Sequence, residues 1–488
     1  MEHSDIIATN PVSSGTSFRN WTKGEKFLFR VVFIFLLALI IPLDPAQYKA
    51  YLHPKSFFWF LSSLTGYRPN FIQLHSDSAR WGLAGYVSWA IALGIGLVGG
   101  SIWTIFARKD TPHYNKLYYW LRVLVRYRVA LGIIAFGFLK FYPMQMPYPA
   151  ISNLETSLGD YNTYKIYWQQ VGVSLWYEVV LGIVEIIGGV LLFFRGTTAL
   201  GALINAGVLY NIAHANIAYD GAVHVYSSLF VLFSLFLLVP YLKNLYQLFV
   251  KRKDVTPLYY YPVWDTRKKK IWAYSIKYGF VFLFTVVYGI LRYDVHYRQG
   301  YLKDPVTPGL PGITGFYNVS TFRLNGRELP YDPYDSIRWQ NVIFEKWSTL
   351  TYKVYKPFPI SLANGTPNEK DEKRSYELAG IAGGRRFLYY KADTAKGIFY
   401  LEDKNNRSGW DEDARTSDTT SAARTSRRKR DPRTNDTPED KLTWHYLRPS
   451  ENRVIIYGLN EQKDSIYAVL DKVDKAYPIT IKSSKASL

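Results

Sequence analysis

Eight polar side chains decide what chemistry this chain could perform, because each lies within or at the end of an apolar stretch: Lys140, Glu178, Glu185, Asn211, His214, Tyr219, Asp220 and His224. A charged group at the centre of a bilayer costs about 2.5–3.5 kcal/mol even on lenient insertion scales, so it faces a bundle interior or a cavity and seeks a partner. Lys140, Tyr219 and His214 are candidate hydrogen-bond donors to a bound group, and Glu185 or Asp220 would carry protons. Glu178 and Glu185, seven residues apart, share one helical face. The same residue types also serve as plain interhelical hydrogen bonds, and Lys140, followed by Phe141-Tyr142-Pro143, is placed to snorkel towards headgroups. His214 and His224 would bind a metal or haem only if their rings converged. Spacing across two helices does not establish that, so no metal is assigned. The chain has no cysteine, which excludes disulfides, thiol exchange, cysteine nucleophiles and iron–sulfur clusters.

These residues must be positioned by seven apolar stretches, near 26–43, 83–106, 118–141, 173–194, 198–218, 222–249 and 271–291. Each approaches the roughly 20 residues a helix needs to cross about 30 Å of hydrocarbon. A polar C-terminal third pulls the mean hydropathy down to −0.10. Basic residues set the orientation: Arg19, Lys23, Lys26 and Arg30 flank the first stretch, and Lys251, Arg252, Lys253, Arg267, Lys268, Lys269 and Lys270 crowd the loop before the seventh. The pattern predicts a cytoplasmic N-terminal tail (1–25), a first helix pair with an extracytoplasmic loop (26–116) and a four-helix bundle (117–250). A basic cytoplasmic loop (251–270), a seventh helix (271–291) and an extracytoplasmic domain (292–488) follow. No small-residue cleavage site follows the first stretch, which reads as an uncleaved anchor. Arg122 and Arg126, four apart, mark the cytoplasmic half of the third stretch. On this reading the chain sits in a bacterial inner membrane with lipids as its first partners. The net charge of +20 lies largely in loops that meet anionic lipid and in the polar run 404–441. No nucleic-acid module accompanies it, so nucleic acid is not expected as a partner.

From Gly315 onward the pattern becomes all-β. Strand candidates are Phe316–Arg323, Arg338–Trp347, Thr351–Tyr355, Arg386–Tyr390, Ile398–Leu401, Arg453–Tyr457 and Ser465–Leu470, with Asn325-Gly326 as a tight hairpin turn. The segment 402–441, nearly empty of aliphatics, reads as a disordered insertion. The Pro- and Gly-rich stretch 305–312 reads as the linker leaving the membrane. The glycines Gly380–Gly384 lack the strand–loop–helix context of a phosphate loop.

Residues 126–250 resemble the DoxX family of four-helix membrane modules. The resemblance rests on RVALGIIAFGFLKFYPMQM (128–146), on LGIVEIIGGVLLFFRGTTALGALI (181–204) with Glu185, Gly188, Gly189, Arg195 and Thr198, and on Asn216, Tyr219, Asp220, Val223 and Ser227. His224 stands where the family usually has lysine. The resemblance implies a four-helix core and a quinone connection, since named members serve quinone-linked sulfur oxidation and methylamine metabolism; it does not imply catalysis. Two functions follow as expectations. In one, the chain is a non-catalytic envelope or membrane-complex subunit whose domain 292–488 binds an envelope protein. In the other, it is a quinone-linked redox subunit with a pocket among the third to sixth stretches.

Overall fold

The computed structural model of the chain describes residues 21–43, 45–72, 83–107, 114–221, 223–255, 266–356, 360–361, 365, 367–405 and 441–479. Among the described residues, eleven α-helices precede a β-domain. They are α1 (Lys23–Ile40), α2 (Pro45–Leu52), α3 (Phe57–Thr65), α4 (Val87–Phe106), α5 (Tyr114–Phe141), α6 (Ile151–Leu154), α7 (Thr163–Gly172), α8 (Leu175–Leu192), α9 (Thr198–Ala218), α10 (His224–Phe249) and α11 (Arg267–Arg298). Each of the seven apolar stretches coincides with one long helix. Four of these, α4, α8, α10 and α11, are both long and apolar enough to cross a membrane. The other three carry the polar residues that lower their hydropathy: Arg30 in α1, Arg122, Arg126, Arg128 and Lys140 in α5, and Asn205, Asn211 and Asn216 in α9.

The helices α5, α8, α9 and α10 form a ring, each packed on the next, with α10 returning to α5. Small residues set the close crossings. A Cβ on Gly182 of α8 would meet the Phe141 amide nitrogen at 2.5 Å and the Gly137 carbonyl at 2.6 Å, so α5 and α8 touch backbone to backbone. Between α8 and α9, Asn205 donates to the carbonyls of Gly188 (2.8 Å) and Gly201 (2.7 Å). Val125, Val129 and Ile133 of α5 meet Phe230, Phe233 and Leu237 of α10 in the core. The pair α1–α4 packs beside α5, and α11, which contains π segments at Leu283–Val287 and Asp294–Arg298, crosses its far end.

The β-domain is an antiparallel meander of β1 (Gly315–Leu324), β2 (Arg327–Glu328), β3 (Asn341–Phe344), β4 (Thr349–Lys353), β5 (Arg385–Asp393), β6 (Ile398–Asp403), β7 (Lys441–Ser450), β8 (Arg453–Leu459) and β9 (Ser465–Val473). β9 pairs back with β1 from Phe316↔Val473 to Leu324↔Ile466, closing an eight-stranded barrel from which β2 is a short arm. Asn325 and Gly326 have φ of 50° and 78°, the left-handed pair the turn was expected to need. Alternate residues fill the interior, among them Tyr317, Val342, Phe344, Leu388, Tyr390, Phe399, Trp444, Ile456 and Leu470.

Three expectations are corrected. Strand β7 falls partly inside and directly after the expected insertion. Its inward Trp444 and Tyr446 alternate, but Arg448-Pro449 hides the strand's end. Glu402 and Asp403 finish β6 and Lys441 begins β7, with Glu402 opposite Lys441; 406–440 lie outside the described residues. The stretch 305–312 is a fixed strap, because the amides of Val306 (3.0 Å) and Thr307 (2.6 Å) both donate to Asp371, and Pro308 bridges to Trp347.

Candidate functional site

The expected site residues divide into three groups. Lys140, at the end of α5, reaches Glu185 in the middle of α8. Its Nζ lies 2.8 Å from Oε1 and 2.9 Å from Oε2, with both side chains almost wholly buried. The Gly137–Gly182 crossing makes this reach possible, since any larger residue there would push the two helices apart. Lys140 therefore does not snorkel. A buried ion pair gains its Coulomb energy only against the desolvation of both ions, so each partner depends on the other.

Two turns above, Glu178 is fully buried. Its Oε1 accepts from the Met146 amide at 3.0 Å, while Oε2 has no donor among the described residues. Lys140 and Lys303 are its cationic neighbours. Lys303, between the end of α11 and the strap, donates to the Gln145 carbonyl at 3.0 Å.

From here the polar groups continue under the barrel. Asn162 caps α7 by accepting from the Lys165 amide (2.9 Å), and its own amide donates to Gly380 (2.9 Å). Gly380 has φ of 73°, and a Cβ there would strike the Asn162 side chain at 2.5 Å, so glycine is required. The capped helix aims Lys165, fully buried, at the Tyr376 carbonyl (2.5 Å), with its Nζ 3.7 Å from the Tyr376 ring centre. Burial pushes the Lys165 ammonium well below its ordinary range, against the pull of Asp304 and Glu377. Burial lowers Lys303 to about 8, opposed by Glu178 and Asp304. The Asp304 carboxyl is pushed up, first by burial and then by Glu377. Glu377 is tied to Lys404 by a buried ion pair and accepts from Thr349 (3.1 Å) and Trp347 (2.7 Å).

These groups also fasten the barrel to the bundle. Glu345 at the end of β3 accepts from the amides of Ile151 (3.0 Å) and Ser152 (2.7 Å), Asn153 donates to the Glu377 carbonyl (2.7 Å), and Lys475 pairs with Glu155 (2.7 Å). Strand β5 is buried on both faces, because its outer Phe387 packs with Leu378, Ile381 and Tyr161.

The second group sits at the α9–α10 turn. Tyr219 stacks on Tyr167 with ring centres 4.8 Å apart, Asp220 takes φ of 54°, and buried His224 places Nδ1 3.2 Å from the Gly221 carbonyl. The third comprises Asn211 and His214, which lie exposed on the outer face of α9, with the His214 ring beside Tyr210. The eight residues therefore do not line one pocket. Lys165, Lys303, Asp304, Glu345, Glu377 and Lys404 were not anticipated: Lys165, Lys303, Asp304 and Glu377 stand in segments that read as loop, Lys404 in the segment read as an insertion, and Glu345 inside an expected strand whose side-chain partners the pattern does not reveal. Among the described residues no three His, Asp or Glu side chains converge as a metal site. No family model, no curated protein and no solved structure matches this chain.

Proposed function

We propose that the chain is a seven-span inner-membrane protein with a DoxX-like core, its N-terminus in the cytoplasm and its barrel outside. It acts as a non-catalytic subunit of an envelope or membrane complex. The observation that carries this reading is the fastening of the barrel to the bundle through Glu345, Asn153, Lys165 and Lys475, which presents the barrel in one fixed orientation. Lys140 and Glu185, the residues best suited to handle a quinone's protons, are engaged with each other. On the barrel, Tyr331, Tyr334, Ile337 and Tyr355 are exposed together, with Tyr334 and Tyr355 edge to face at 5.3 Å. Exposed aromatic clusters of this kind are enriched at protein interfaces. A photo-crosslinking residue at Tyr334 in growing cells should give one adduct of defined mass that is lost with Tyr355→Asp. A smear of adducts, or the same adduct with Tyr355→Asp, would refute the surface.

One observation favours the quinone-linked reading: the buried Glu178 Oε2, without a donor among the described residues, beside Lys140 and Lys303. The absorbance spectrum of the purified protein separates the two, because a bound quinone at one per chain would replace the subunit reading.

A further inference from the structure

Two of the three asparagines in α9 spend their amides within the bundle. Asn205 donates to the carbonyls of Gly188 and Gly201, and Asn216 donates to the Ile212 carbonyl at 2.8 Å. Asn211 turns the other way. It is exposed beside a stripe made of Leu200, Leu203, Gly207, Tyr210, His214 and Ile217, all of them exposed as well. These six follow one another at intervals of three, four, three, four and three residues, the spacing along which two helices lie side by side. A Cβ on Gly207 would meet nothing within 4 Å, so no described part of the chain covers the dip this glycine leaves. The His214 ring lies nearly parallel to that of Tyr210, with centres 6.2 Å apart. Among the described residues neither Asn211 nor His214 has a hydrogen-bond partner for its side chain. The neighbouring helices differ. Through the middle of α8 the exposed residues are Val180, Ile183, Val184 and Ile187, and on α10 they are Leu235 and Val239. Those faces suit hydrocarbon. The face of α9 does not, because Asn211 lies seven residues, about 10 Å, inside the end of the helix, where an amide without a partner is costly.

We propose that this face of α9 is the contact between two copies of the chain in the membrane. The inference rests on the membrane reading given above. The occupant follows from symmetry. Copies inserted in the same sense hold α9 parallel and at one depth, so a two-fold axis along the membrane normal sets Asn211 opposite Asn211. A side-chain amide carries both donor and acceptor, as does a neutral imidazole, so each can satisfy its own counterpart. The stripe contains no Asp, Glu, Lys or Arg that would repel itself across the axis. Gly207 lets the two backbones approach, the role small residues play between spans, where lipid supplies no hydrophobic drive.

The chain has no cysteine, so a single introduced one reports its own surroundings. In native membranes treated with a mild oxidant, Leu203→Cys and Tyr210→Cys in the full chain should each give a disulfide-linked species of twice the chain's mass, and Val239→Cys on α10 should not. Gly207→Leu, which extends into open space in the single chain, should abolish the linkage formed by Leu203→Cys. Asn211→Leu should weaken dimerisation about tenfold, the scale of two interhelical hydrogen bonds, read as the dissociation constant of fluorescently labelled chains in liposomes. No linkage at either position on α9, equal linkage at Val239→Cys, or full linkage with Gly207→Leu would overturn the contact. Linkage to a chain of a different mass would overturn the second copy and leave another membrane protein as the occupant. Release of the parent chain from membranes by alkaline carbonate would instead overturn the membrane reading beneath it.

Discussion

A carboxylate and an ammonium buried against each other stand or fall together, and Lys140–Glu185 is such a pair. Lys140→Met leaves Glu185 charged and alone and should cost about 3–5 kcal/mol, whereas the double change Lys140→Met with Glu185→Leu should recover most of that loss. Thermal unfolding in detergent measures both, and a double variant no more stable than Lys140→Met would show the pair is not a unit. Lys303 offers a pH test. It titrates at about 8 when folded against 10.5 as a free side chain. Between those values the unfolded chain holds the extra proton, so stability rises with pH across that window, and below it the burial cost is constant. Lys303→Met should flatten this rise; parallel pH profiles for parent and variant would refute it. The inward aim of Glu185 was legible from sequence, because a mid-span carboxylate has few tolerable environments. The outward aim of Asn211 and His214 was not. Three-residue spacing says that two side chains share a face, without saying which way the face turns.

At the scale of elements, the α5–α8 crossing is set by two glycines. Gly182→Val should force the helices apart and separate Lys140 from Glu185, with a loss of about 2 kcal/mol or more from overpacking and the broken pair. An unchanged melting temperature would mean the crossing has slack. The β6–β7 connection makes the opposite prediction. Glu402 and Lys441 already face each other across the ladder, so replacing 407–439 by a short Asn-Gly turn should leave the barrel folded. A shorter loop costs less closure entropy, by about 0.6 kcal/mol per halving, and circular dichroism with limited proteolysis reports the outcome. The long helices were readable because continuous apolar runs have no competing explanation. Strand β7 was not, because Arg448 and Pro449 interrupt its alternation, and β3 is shorter than its apolar pattern because Arg338 turns back to the carbonyls of Leu329, Trp339 and Val319.

For the whole molecule, reporter fusions after Val250 and after Tyr301 should report opposite sides of the membrane, and matching sides would sink the seven-span arrangement. What sequence could not disclose here is long-range. The pairing of Glu345 with Ile151 and Ser152 joins residues nearly two hundred positions apart, and no local signal in either segment announces it. The closure of β1 by β9 is equally remote, and it has a consequence in time. The first strand of the barrel leaves the ribosome long before the one that completes it, so the nascent domain carries two open edges until its final stretch is made. Such edges invite strand exchange with neighbouring chains. A chain stopped at Asn460, lacking β9, should therefore aggregate or be degraded, although it contains every residue that docks Glu345, Glu377 and Lys404.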